Sequence, residues 1–150
     1  MRWKVIARRL LGRKGTRLLR NILSSLYHLL DLVPPPSRYR PYGVSAVMWT
    51  KNEEYWVAVA MKSVSEIVDE YVLIDASTDR TPNIAKEVGK ELGIPVKIVK
   101  ANTKNMAEVG NLGLKHSSYR WILKWDADFI LHEDYVPFIK NLIEELDEKR

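Results

Sequence analysis

Two textures of apolar and polar positions divide this chain. From Leu18 onward, Leu19, Ile22, Leu23, Leu26, Leu29, Leu30 and Val33 recur at helical spacing. That spacing predicts an amphipathic helix within residues 1–33. Pro34, Pro35 and Pro36 end it, because proline lacks a backbone N–H and restricts the residue before it. Residues 34–43, with Arg38, Arg40, Pro41 and Gly43, read as a linker. Beyond it, short apolar runs of strand length alternate with stretches of 3.6-residue period, so residues 44–150 read as one domain.

The first run of strand length is Val44–Thr50. Residues 53–68 follow as a predicted helix with Val57, Met61, Val64, Ile67 and Val68 on one face. Residues 71–74 form a second buried-strand pattern. Thr81 and Pro82 suit the start of a helix that runs to Leu92, where Gly93 stops it. Residues 96–99 are a third strand, 105–115 a helix weakened by Gly110 and Gly113, and 121–125 a fourth strand. Asp134 is placed to cap a last helix carrying Val136, Ile139, Leu142, Ile143 and Leu146.

Alternating strand and helix imply an α/β fold, Rossmann-like, with a mostly parallel sheet and helices on both faces. Ligands of such sheets gather at the carboxyl ends of the strands. Polar residues stand where that rule asks for them: Asn52 and Glu53 after the first strand, Asp75 to Asp79 after the second, Asn102 to Lys104 after the third, and Asp126 and Asp128 after the fourth.

Composition changes this picture in two places. The chain has no cysteine, which excludes disulfides, thiolate zinc sites and cysteine nucleophiles, and its three histidines are scattered. The formal charge of +5 is unevenly spread. Residues 1–43 hold ten Lys and Arg against the single acid Asp31, whereas residues 44–150 hold fourteen against eighteen acids. The basicity therefore belongs to the N-terminal segment. Its apolar run is far shorter than the roughly 20 residues a membrane span requires, and it lacks the compact core and cleavage site of a signal peptide. A basic helix with an aliphatic stripe suits an anionic membrane surface or packing on the domain, in preference to nucleic acid. The corresponding expectation is a cytoplasmic protein, peripheral at the inner face of the membrane.

Three strand-end segments carry candidate chemistry. In Asp126-Ala127-Asp128, two carboxylates flank one small residue and can face one hard cation. Mg²⁺ or Mn²⁺ takes one or two carboxylates together with substrate phosphates and neutralises charge on a departing diphosphate. The bland alternative is a solvated turn. Asp75, at the head of Asp75-Ala76-Ser77-Thr78-Asp79-Arg80-Thr81, can accept hydrogen bonds from a base or ribose, while Asp79 and Thr81 suit capping. In Thr50-Lys51-Asn52-Glu53-Glu54, the acids also favour a helix N-terminus, and Lys51 either meets a phosphate or is solvated.

These segments, in this order, resemble family 2 glycosyltransferases of the GT-A fold. The family shows a strand ending near Asn-Glu, then Asp-x-Gly-Ser-x-Asp-x-Thr, then Arg-Asn-x-Gly, then Asp-Ala-Asp. Here the third is represented by Gly110-Asn111-Leu112-Gly113. The resemblance covers roughly residues 44–131. It implies a nucleoside-diphosphate sugar as donor, Mg²⁺ or Mn²⁺ as cofactor, and transfer of the sugar to an acceptor such as a lipid-linked glycan. By position, Thr50, Lys51, Glu53 and Asp75 would hold the nucleotide. Asp126 would contact ribose and the metal shell, Asp128 would ligate the metal, and Lys104 is a looser nucleotide match.

The chain departs from the family at Trp49 (proline elsewhere), Ala76 (glycine), Gly110 (arginine) and Phe129 (a polar residue). No residue matches the family's catalytic base, which lies in an acceptor half beyond the Asp-x-Asp. A non-catalytic or truncated nucleotide-sugar-binding fragment, acting with a second polypeptide or at a membrane surface, is therefore the alternative expectation. A sugar nucleotidyltransferase fits less well, because residues 49–54 contain no glycine.

Overall fold

The computed structural model describes residues 40–101, 103 and 105–149. The basic segment 1–33, most of the linker, and Lys104 lie outside them. Four parallel strands form one sheet in the order β3-β2-β1-β4: β1 (Val44–Thr50), β2 (Glu70–Asp75), β3 (Val96–Lys100) and β4 (Trp121–Asp126). The helices are α1 (Val57–Ser63), α2 (Thr81–Leu92), α3 (Met106–His116) and α4 (Val136–Glu148). The α/β fold with a parallel sheet is as the sequence predicts.

The order of strands explains the two layers. From β1 to β3 the chain steps in one direction, and from β3 it returns past β1 to β4. Right-handed crossovers then put the returning helix on the opposite face. Accordingly Ala46, Met48, Tyr71 and Leu73 pack with α1 and α2 on one face, where α4 also docks. Val47, Val72 and Ile74 pack with Val109 and Leu112 of α3 on the other. The central strands β1 and β2 are buried almost throughout, which is why they read as continuous apolar runs. Tyr71 ties the first layer together, its hydroxyl donating to the Met61 carbonyl at 2.7 Å.

Helix α3 comes unusually close to β1. A Cβ on Gly113 would lie 2.3 Å from Val47 Cγ1, so only glycine permits the approach. Valine is stiff at χ1 and cannot swing aside. Gly113→Ala is expected to destabilise the domain by about 1–3 kcal/mol, the range for overpacking a filled core. An unchanged urea midpoint would show that α3 is free to move away.

Two predicted helices differ from expectation. The α-helical part of 53–68 is only Val57–Ser63. At its start, the Glu53 and Glu54 N–H groups bond to side chains of the next loop. At its end, Val64 to Ile67 close by three-residue turns. Val64, Ile67 and Val68 are buried all the same. Periodicity reported which residues face the core, not how long the helix lasts. In α4, Val136, Ile139 and Ile143 face the core, while Leu142 and Leu146 are 42% and 44% exposed. The helix is turned by a polar anchor. Asp147 accepts two hydrogen bonds from Arg120 Nη1, at 2.9 and 3.0 Å, and one from Trp121 Nε1 at 3.1 Å. With about 100° per residue, facing Asp147 inward moves Leu142 and Leu146 to the flank. Asp134 caps nothing with its side chain. It stands in a 3-10 turn, Glu133–Tyr135, whose entry is capped by His132.

Candidate functional site

The carboxyl ends of the four strands are where the polar residues collect. Register alignment puts Thr50, Asp75 and Lys100 side by side on β1, β2 and β3, all on the same face of the sheet. Asp75 is completely buried. Its Oδ1 accepts from Thr50 Oγ1 at 2.9 Å and from the Ser77 N–H at 3.1 Å, and its Oδ2 pairs with Lys100 Nζ. Burial pushes the carboxyl up, but Lys100, Ser77 and Thr50 together outweigh that and hold it below its ordinary range. Asp75 is thus an ionised anchor at the head of its loop, satisfied from within the protein.

The loops after β1 and β2 are zipped together. Asn52 adopts a left-handed conformation, φ 59°, which asparagine tolerates. Its side-chain oxygen accepts from the Thr78 N–H at 2.9 Å, and its own N–H donates to Ser77 Oγ at 3.0 Å. One residue on, the Glu53 N–H donates to Thr81 Oγ1 at 2.8 Å. The expected capping by Asp79 and Thr81 is not seen: Arg80 is the N-cap of α2 and makes no side-chain cap bond, Asp79 accepts from the Thr81 N–H at 3.0 Å, and Thr81 reaches across to the other loop. Asn52 and Ser77 are tied by pairing that neither segment shows alone.

Glu53 follows β1 and the Asp-x-Asp turn follows β4, on the two sides of the strand-order reversal. Partial burial, then the charges of Asp128 and Asp79, raise the Glu53 carboxyl above its ordinary value. A negative field of this kind favours a cation. Asp126 follows Trp125 at the end of β4, opposite Trp49, and is 35% exposed at its side chain, with Lys124 Nζ at 3.5 Å. Ala127 is buried and Asp128 exposed. The turn is fixed by its neighbours. The Phe129 N–H bonds to the Asp126 carbonyl at 3.1 Å, and Trp125 Nε1 donates to the Phe129 carbonyl at 3.1 Å. The Phe129 ring stands edge-on to Trp125 at 6.0 Å. Phe129, a departure from the family pattern, therefore braces the Asp-x-Asp turn.

Among the described residues no three His, Cys, Asp or Glu side chains gather tightly enough to hold a metal by themselves. Two flanking carboxylates in a negative field fit instead an ion that completes its shell with phosphate and water. Lys51 is exposed in the β1 loop, beside the half-buried Glu53.

The sequence pattern of glycosyl transferase family 2 matches residues 45–149. The chain belongs to that family. Similar proteins include glycosyltransferases of Rickettsia felis, 37% identical over 86 residues that make up 57% of this chain and 28% of the relative, and of Rickettsia typhi, 34% identical over 92 residues, 61% and 30% of the two chains. The chain thus spans less than a third of these relatives. Among solved structures, S. aureus TarS superposes with a TM-score of 0.57 at 22% identity, covering 69% of this chain and 20% of TarS. Its 1–349 portion gives 0.58, covering 32% of that portion. This likeness supports the fold the family leads one to expect. Among the described residues, no helix is long and apolar enough to cross a membrane.

Within this family 2 domain, sequence reasoning passed over Lys100, because the alternation of 96–99 ended the strand one residue early. It also missed Glu70, buried at the opposite end of β2. That carboxylate accepts from Ser45 Oγ at 2.6 Å and pairs with Lys97 Nζ at 2.8 Å. Burial raises its value, and bonds from Lys97, Ser118 and Ser45 reverse this to a net lowering. Folded Asp75 and Glu70 therefore hold protons less tightly than the unfolded chain does. The stability they contribute is complete above the ordinary carboxylate values of about 4 and is lost as pH falls through the lowered folded values. The urea midpoint is expected to drop between about pH 5 and 3, and less steeply in Glu70→Gln. Parallel slopes would remove Glu70 from this role.

Proposed function

We propose that this chain binds a nucleoside-diphosphate sugar, with Mg²⁺ or Mn²⁺, as the donor-binding portion of a glycosyltransferase. The observation that carries the reading is the convergence of Thr50, Glu53, Asp75, Asp126 and Asp128 on the carboxyl ends of adjacent parallel strands, around the reversal of strand order. Asp126 and Asp128 would hold the metal on the diphosphate, and Glu53 would add to the field that attracts it. Thr50 and Asp75 would shape the nucleoside end. In the transfer step an acceptor oxygen bonds to the anomeric carbon while that carbon's bond to the diphosphate oxygen breaks. The electron pair stays on the diphosphate, whose charge a divalent ion held by Asp126 and Asp128 would neutralise, and the acceptor's proton passes to a general base. The basic N-terminal segment suits an acceptor presented at an anionic surface, such as a lipid-linked glycan, on its charge alone.

Thermal unfolding of the full chain with UDP or GDP tests this, in Mn²⁺ and in EDTA. A ligand at a hundredfold its Kd stabilises by about 2.7 kcal/mol, enough to raise Tm by several degrees. The expected shift appears with metal and shrinks in EDTA. No shift with either nucleotide would sink the reading.

A further inference from the structure

Resting on the donor-binding reading, we infer that Trp125 is a positioning residue for the divalent ion: its indole N–H clasps the Asp126-Ala127-Asp128 turn in the shape that lets both carboxylates meet one cation. Asp126 to Phe129 form a four-residue turn, closed by the Phe129 N–H on the Asp126 carbonyl at 3.1 Å. Ala127 and Asp128 are its corner residues. Ala127 is buried in the core of the first layer, whereas Asp128 is exposed. One corner is therefore pinned, and the other, which carries the second carboxylate, is not.

Among the described residues β4 is an edge strand, so no neighbouring strand holds the chain beyond Asp128. Phe129 and Ile130 are more than half exposed. The next tertiary bond comes at Leu131, whose N–H donates to Ser63 Oγ at 3.1 Å. Trp125 Nε1 fills this gap. It donates to the Phe129 carbonyl at 3.1 Å, and the two rings stand edge-on at 6.0 Å. The indole packs against the first-layer core and has only two side-chain torsions, so it carries the position of that core to the outgoing chain. One hydrogen bond between neutral groups at the surface adds little to global stability. Its leverage lies in the turn. An ion that takes only one or two protein carboxylates gains affinity from having them fixed beforehand. Asp126 is fixed by β4, and Asp128 is fixed only if the chain on its far side is.

Titration of UDP and GDP into the full chain, with Mn²⁺ and with EDTA, tests this. Trp125→Phe keeps a ring beside Phe129 and removes the N–H. It is expected to cut the Mn²⁺-dependent gain in affinity by about two- to tenfold, the worth of one hydrogen bond, and to leave affinity in EDTA unchanged. Trp121→Phe is the matched control. It too loses an indole bond on β4, from Nε1 to Asp147 Oδ1 at 3.1 Å, but at the other end of the strand. It should lower the urea midpoint and leave the Mn²⁺-dependent gain at the wild-type value. A wild-type gain in Trp125→Phe, or an equal loss in both variants, overturns the inference. Exchange of the indole N–H groups with water, read by NMR on the wild-type chain, does not depend on the variants folding. UDP or GDP with Mg²⁺ should slow exchange at Trp125 and not at Trp121, because an ion held by Asp126 and Asp128 stiffens the turn. Unchanged exchange at Trp125 in a chain that binds the nucleotide also overturns the inference. If the wild type gains no affinity from metal, the donor-binding reading fails first and this inference with it. A wild-type gain that survives in full in Trp125→Phe defeats this inference alone.

Discussion

Replacing Asp75 with alanine is expected to cost the fold about 2–3 kcal/mol, the scale of hydrogen bonds to a charged group and of buried donors left without acceptors. The Thr50 hydroxyl and Ser77 N–H both end on Asp75 Oδ1. Without it they are stranded in a region where Thr50 and Asp75 are completely buried. Lys100 loses its partner too, but its exposed ammonium is solvated, so the penalty of an isolated buried charge does not arise. Asp75→Asn should cost less, because its oxygen still serves Thr50 and Ser77 while its amide faces Lys100 unfavourably. Urea unfolding of the three chains should rank wild type, then Asp75→Asn, then Asp75→Ala. For a domain whose total stability is about 5–15 kcal/mol this is a large fraction. Equal midpoints for alanine and wild type would mean that the carboxylate anchors nothing and waits for a ligand.

The second large effect belongs to Asp128. Asp128→Asn is expected to abolish most of the Mn²⁺-dependent gain in UDP or GDP affinity, at least about tenfold, since a metal held by only one or two carboxylates has no spare ligand. Affinity in EDTA should change little. The Glu53 carboxyl should also move down, because Asp128 is one of the charges that raise it. Asp126→Asn should be milder, since Lys124 already offsets part of the Asp126 charge at 3.5 Å. Titration of UDP with and without Mn²⁺ reads the first effect, and carboxyl NMR of Glu53 reads the second. A variant that keeps the full metal-dependent gain would take Asp128 out of the metal's shell.

Much of the fold is legible in the sequence. Continuous apolar runs mark β1 and β2 because both faces of a parallel sheet are covered. Gly93 ends α2 in a left-handed turn, φ 70°, as its place after Leu92 suggested. The position of the site was legible for the same reason, since strand ends are where a parallel sheet leaves backbone and side chains open to a ligand. Helix α1 was misjudged because tertiary hydrogen bonds from Glu53 and Glu54 take over the first turn. Which of the apolar residues of α4 face the core was not legible, because Asp147, held by Arg120, faces inward and leaves Leu142 and Leu146 on the flank.

Sequence by itself determined the alternation of strands and helices, the family, and that Asp75, Asp126 and Asp128 stand at strand ends. Those are properties of local order, and one dimension suffices to carry them. Only the tertiary structure decided that Thr50, Asp75 and Lys100 share one row, that Asn52 locks to Ser77 and Thr78, and that Asp128 raises Glu53. Each joins residues about 25 or more positions apart, and strand order and register, which no single segment encodes, decide which of them meet.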